Sequence, residues 1–121
     1  MSMNVTLRQI VDARDALMSL STQKLPIKIA YNVSKIIRKA NADLEVLTQV
    51  RQEVISRYMP EGTEMTPEIN QSIMAELNDA LNVEVEIPVN KVDLSNVNIE
   101  ITVRDVSLLE PFCIFETVTL D

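Results

Sequence analysis

Two periods of hydrophobic recurrence divide this chain. From Thr6 to about residue 81, apolar residues return every three or four positions, the repeat of a helix with one buried face. From Val83 onward they alternate with polar ones, the repeat of a strand with one wet face. The pattern predicts an α+β fold: an antiparallel helical hairpin with one long member, a third short helix, and a small antiparallel β-sheet near the C-terminus.

The longest periodic stretch runs from Pro26 to Met59. Ile29, Val33, Ile36, Ala40, Leu44, Leu47, Val50, Val54 and Tyr58 recur at steps of three or four, with no Gly or Pro between them. Ile37, Val46 and Ile55 widen this seam in places. The spacing predicts one helix of about nine turns. Pro26 suits its first turn, where a missing N–H is no loss. Pro60, Glu61 and Gly62 end it.

A shorter helix precedes it. Thr6-Leu7-Arg8-Gln9 fits a capping box, and Leu7, Ile10, Val11, Leu17, Met18 and Leu20 supply an apolar stripe. The periodicity stops near Ser21. A connection over 21–26 is short enough to make the two helices antiparallel neighbours, a hairpin over 6–59. The first helix is only half as long as the second. It therefore leaves Leu44 to Tyr58 to be covered by the C-terminal half of the chain or by another subunit. That excess length predicts a homo-oligomer, with Leu44, Leu47, Val50, Val54 and Tyr58 as its interface.

Thr66-Pro67-Glu68 starts a third helix over 66–81, with an N-cap hydroxyl, Pro at the first position and an acid in the first turn. Ile69, Ile73, Leu77 and Leu81 form its stripe, with Met74 and Ala80 beside it. A β region follows over 83–120. Val83, Val85, Ile87 and Val89 alternate with Glu84, Glu86 and Pro88, and Val97, Ile99, Ile101 and Val103 with Asn98, Glu100 and Thr102. Both read as strands, the first on an edge or at a bulge because of Pro88. Asn90 to Asn96 would join them. The tail predicts a helical turn at 105–110, capped by Asp105, and then an extended segment. Phe112 to Leu120 is rich in β formers and is a candidate third strand. The loop 60–66 is too short to divide the chain, so 1–121 reads as one domain.

Composition sharpens this picture. The chain has 121 residues and 3% aromatics, so its core must be built from Ile, Val, Leu and Met. A single glycine argues against a Gly-rich phosphate loop and against an all-β fold full of tight turns. With no histidine, the commonest general base and transition-metal ligand are missing. Cys113 is the only cysteine and cannot form an internal disulfide, which suits a reducing compartment. The N-terminus does not look like a signal peptide, and no uncharged apolar run is long enough for a membrane span. The reading is a soluble protein of the cytoplasm, or one made there for an assembly.

The net charge of −7 is unevenly spread. Residues 1–60 carry nine basic and five acidic side chains, +4; residues 61–121 carry two and thirteen, −11. Such a split can steer association with a partner or a second copy. The plainer alternative, which the balance favours, is that the halves neutralise one another within one molecule.

The order of features resembles a family of small uncharacterised proteins of tailed bacteriophages and prophages. The resemblance rests on three segments. The first is Leu25-Pro26-Ile27-Lys28-Ile29-Ala30-Tyr31-Asn32-Val33, leading into the long helix. The second is Leu81-Asn82-Val83-Glu84-Val85-Glu86-Ile87, and the third is Asp105 with Leu109-Glu110-Pro111-Phe112. It implies a phage origin, with the host cytoplasm or the virion as location, and no particular activity. The chain departs from the pattern after Phe112, where Cys-Ile-Phe-Glu-Thr-Val-Thr-Leu-Asp is more strand-like.

Three groups are candidates for chemistry. Lys24, Lys28, Lys35, Arg38 and Lys39 gather around the start of the long helix, with Tyr31 among them. They could bind a nucleotide or other anionic ligand. A solvated face that balances the acidic half is the favoured alternative. General DNA binding would need more positive charge. Glu84 and Glu86, with Glu100, could serve acid–base chemistry, hold a cation or mimic phosphate, against the plainer and favoured reading of charges that blunt a sheet edge. Cys113 lacks a histidine base and lies in an apolar run, so it reads as a structural thiol. No catalytic residue, metal ligand or cofactor is assigned. The expected role is non-enzymatic: oligomerisation and docking to a protein partner as an accessory of phage assembly or structure, or, as the alternative, inhibition of a host anti-phage defence system by sequestering a nucleotide signal or occupying a defence protein.

Overall fold

One residue both ends a strand and starts a helix. Thr6 Oγ1 accepts from the Gln9 backbone N–H at 3.2 Å, while Gln9 Oε1 accepts from the Thr6 N–H at 2.9 Å. This is the predicted capping box, and it satisfies two donors that the first turn leaves orphaned. The computed structural model describes residues 2–115. In chain order it contains β1 (Met3–Thr6), α1 (Leu7–Ser21), α2 (Ile27–Tyr58), α3 (Pro67–Leu81), β2 (Glu84–Ile87), β3 (Val92–Asp93), α4 (Val103–Leu109) and β4 (Cys113–Ile114). The fold class is α+β, with one long helix and small sheets.

The helical plan agrees with the sequence reading to within a residue or two. Pro26 is the N-cap of α2 rather than its first helical residue. Thr66 caps α3, its Oγ1 accepting from the Ile69 N–H at 3.2 Å, and Pro67 opens the helix. Between α2 and α3 the Thr63 N–H bonds to the Pro60 carbonyl at 3.0 Å. Gly62, third in that turn, has φ +86°, a conformation in which a side chain would be strained.

α1 lies at the centre, packed against α2, α4 and β1. Its buried residues are Ile10, Ala13, Ala16, Leu17 and Leu20. Val11 and Met18, expected in the stripe, stay exposed instead. Ile10, Ala13, Ala16, Leu17 and Leu20 share one face, and at 100° per residue Val11 and Met18 fall on the other side of the helix. The main core joins this arc to Val33, Ile36 and Ala40 of α2, to Met3, Val5 and Ile87 of the β1–β2 pair, and to Leu109 and Phe112.

The β region needs several corrections. β2 runs only over Glu84–Ile87, and its antiparallel partner is β1 at the N-terminus, with Met3 opposite Ile87 and Thr6 opposite Glu84. The expected strand at 97–103 does not form. Val97, Ile99 and Ile101 are half-buried against the core, so their alternation records burial without a ladder. Val103 begins α4, which is capped by Thr102 and not by Asp105: Thr102 Oγ1 accepts from the Asp105 N–H at 3.1 Å. The expected linker 90–96 contains β3, which pairs in parallel with β4. The Val92 N–H bonds to the Phe112 carbonyl at 2.9 Å, and the Leu94 N–H to that of Ile114 at 2.7 Å. Of the candidate strand 112–120, Cys113 and Ile114 are strand; residues 116–120 lie outside the described residues.

Candidate interaction surfaces

α2 is 32 residues long, about 48 Å at helical rise, and α1 and α3 share the task of covering it. Both pack along α2, α1 on its first half and α3 on its second. The N-terminal end of α1 and the C-terminal end of α3 meet near the middle. There Arg8 hydrogen-bonds Asn78, and the Leu7 N–H bonds to the Val83 carbonyl at 3.0 Å.

Where the two covering helices part, they leave a groove of about 800 Å³. Leu44 and Leu47 of α2 line it, as do Val11 of α1 and Met74, Leu77 and Leu81 of α3. Val11 is 42% exposed and Met74 58%. Arg14, Arg51 and Glu45 are the charged residues on its lining, two cations against one carboxylate. Among the described residues neither arginine has an ion-pair partner.

The five predicted interface residues therefore divide. Leu44 and Leu47 line the groove. Val54 is buried, 4% exposed, on the half of α2 that α3 covers, so an internal contact and not a free seam accounts for it. Val50 and Tyr58 are half-buried and lie outside the groove. The sequence reading missed the groove's walls. Val11 looked like an ordinary stripe residue and Met74 stood beside its stripe; the signal was that the apolar faces were broader than a single contact can bury.

The six predicted ligand-binding residues do not converge. Lys28, Tyr31, Lys35, Arg38 and Lys39 are strung along one side of α2 over about 16 Å, with Lys24 in the connection before it. None of them lines the groove. Lys39 Nζ is 2.9 Å from Asp43 Oδ1 and is neutralised by it. Lys35 Nζ lies 4.8 Å from the centre of the Tyr31 ring, so a cation already covers one face of that ring. Lys24, Lys28 and Arg38 are exposed.

Glu84 and Glu86 are exposed on β2, across from Thr6 and Asn4. Among the described residues no three acidic or cysteine side chains come together as a metal site, and no helix is long and apolar enough to cross a membrane. Cys113 is 4% exposed, and burial pushes its thiol up to about 12, partly opposed by the charge of Lys91. A thiol so disposed is protonated at neutral pH and is a poor nucleophile. Asp93 is shifted the other way: hydrogen bonds from the Ser95 hydroxyl and then its backbone N–H hold the carboxyl below its ordinary value.

Between the two halves of unlike charge, the described residues show one ion pair, Arg57 with Glu76 at 3.4 Å. Compared with protein-family models, with curated proteins and with solved structures, the chain matches none.

Proposed function

We propose that this chain is a non-enzymatic, phage-encoded binding protein that works by associating with itself and docking a protein partner, as an accessory of phage assembly or structure. One observation carries the binding role: the apolar groove across the middle of α2, which the two covering helices leave open. Exposed Val11 and Met74 beside half-buried Leu44 and Leu47 make a patch that water solvates poorly, the kind of surface that association covers. The phage origin is supported by the resemblance of residues 25–33, 81–87 and 105–112. Sedimentation at micromolar concentration tests the self-association. A mass above the 13.6 kDa of one chain is expected, and a mass equal to it would sink the reading.

A second reading has its own support: an inhibitor of a host anti-phage defence system that sequesters a nucleotide signal or occupies a defence protein. Lys28 and Arg38 are exposed on one side of α2 with no ion-pair partner among the described residues. Charge reversal (Lys28→Glu, Lys35→Glu and Arg38→Glu together) should abolish retention of a nucleotide by the purified protein, read by mass spectrometry. Unchanged retention rules out this basic face.

A further inference from the structure

We infer that the groove of one copy receives the acidic α2–α3 loop of a second copy, with Met65 as the inserted side chain and the exchange made reciprocally about a two-fold axis. The inference rests on the self-association proposed above and names what makes it.

The loop suits the groove in both polarity and charge. Met65 is 53% exposed and has acidic neighbours: Glu61, Glu64 and Glu68 are all exposed. The Gly62 turn holds the loop at the far tip of α2. The groove is apolar on its floor and walls and carries two guanidiniums, Arg14 and Arg51, against the single carboxylate of Glu45; neither arginine has an ion-pair partner among the described residues. Methionine is unbranched and polarizable and fills irregular apolar gaps well, while the flanking carboxylates meet the two guanidiniums. The basic stripe over Lys28–Arg38 attracts the same carboxylates, but the apolar hollow at that end of α2, lined by Met18, Leu25, Val33 and Ile37, has no charged side chain on it, whereas the groove joins apolar walls to Arg14 and Arg51, which decides between the two surfaces.

Length and symmetry also agree. The groove's floor lies near Leu47, and the loop leaves α2 at Met59, about 20 Å further along. A two-fold axis passing beside α2, level with Gln52, sets each loop over the other copy's groove. Gln49, Gln52 and Ser56 are exposed there beside Glu53 and Arg57, so the axis brings no large single-sign field onto itself. A stable association buries roughly 1,200–2,000 Å², more than one inserted loop covers, so the exchange is reciprocal and the α2 helices add their own contact.

The test is a cross-link read beside the sedimented mass. Thr48 lines the groove and is exposed, as is Met65, so Thr48→Cys and Met65→Cys leave the core intact. About 15 Å of helix separates Thr48 from Tyr58, beyond which the loop carrying Met65 begins, too far for an internal bond. Buried Cys113 is out of reach. Mixed under mild oxidation, the two single variants should form a covalent heterodimer that neither forms alone. Arg14→Glu with Arg51→Glu should weaken association at least tenfold, and Glu61→Arg with Glu64→Arg in the other copy should restore it. An assembly that sediments above 13.6 kDa yet gives no cross-link, or ignores the charge swap, overturns the loop insertion while self-association stands. A sedimenting monomer overturns both. An assembly that forms only with an added protein seated in the groove also overturns it.

Discussion

The two halves of α2 have the same hydrophobic period but different burial. From Ile29 to Ala40 the helix lies in the main core, and Val33, Ile36 and Ala40 are closed from solvent by α1 and by the packing behind it. From Leu44 to Tyr58 only Val54 is closed, and it and Ile73 of α3 are buried outside that core. A helix inside a layered core and a helix under a single covering helix present the same sequence pattern. The difference lies in how many neighbours each face has. Periodicity says which residues want burial; it does not say whether a second layer exists to bury them.

That contrast can be tested by substitution. The largest effect is expected from Val54→Asp, which buries an unpaired charge under α3. It should unfold the far half or the whole chain, whereas Leu47→Asp, at the groove, should leave the monomer folded and reduce its sedimented mass. Circular dichroism beside sedimentation separates these outcomes. Next, Ile36→Ala should cost about 2–5 kcal/mol in urea unfolding, and Ile73→Ala should fall at or below the low end of that range. Equal costs would mean that the two halves are one core.

The helix caps give a smaller, matched pair. Thr6→Ala and Thr66→Ala each remove a cap worth about 1 kcal/mol. Hydrogen exchange should show the loss at Thr6 spread over the core, because α1 is central, and the loss at Thr66 confined to α3. The smallest change is expected at Arg57→Ala. Its side chain is exposed and its pair with Glu76 is long, so stability should move by well under about 1 kcal/mol.

A pH profile probes the near half alone. The Cys113 thiol is raised from 9.0 to about 12 in the folded chain. Below pH 9 it is neutral whether folded or not, and its burial costs nothing electrostatically. Above pH 9 the unfolded chain ionises first, so stability should fall as pH rises from 9 toward 12. Cys113→Ala should flatten that slope. The same thiol should resist alkylation near pH 8 until urea unfolds the protein.

The helical part of the fold was legible because its signals are local. Thr6 with Gln9, Thr66 with Pro67, and Pro60 with Gly62 each act within one turn of chain. The sheets were not, because their partners lie far apart. Nothing in Met3-Asn4-Val5-Thr6 says that it pairs with Glu84–Ile87, and β3 and β4 are two residues each, below the length at which alternation registers. Val97 to Ile101 misled for the opposite reason: half-buried extended chain alternates whether or not it has a ladder. Half of the groove was legible, since Leu44 and Leu47 stood beyond the reach of the first helix. The other half was not, because Val11 and Met74 become exposed only once α1 and α3 have taken their angles on α2.

The pairing of β1 with β2 sets an order of events during synthesis. α1 leaves the ribosome before residue 83, yet much of its surface is closed by segments after that point: the helix at Val103–Leu109, with Ile87 and Phe112 in the same core. At 5–20 residues per second, Phe112 follows the end of α2 by roughly 3–10 s. For that interval the nascent hairpin carries an open apolar face, and its first half is the needier one. The half that is better buried in the finished protein is thus the half that waits longest for its cover. A pause in translation before residue 112 would extend this exposure, and with it the opportunity for a chaperone to bind.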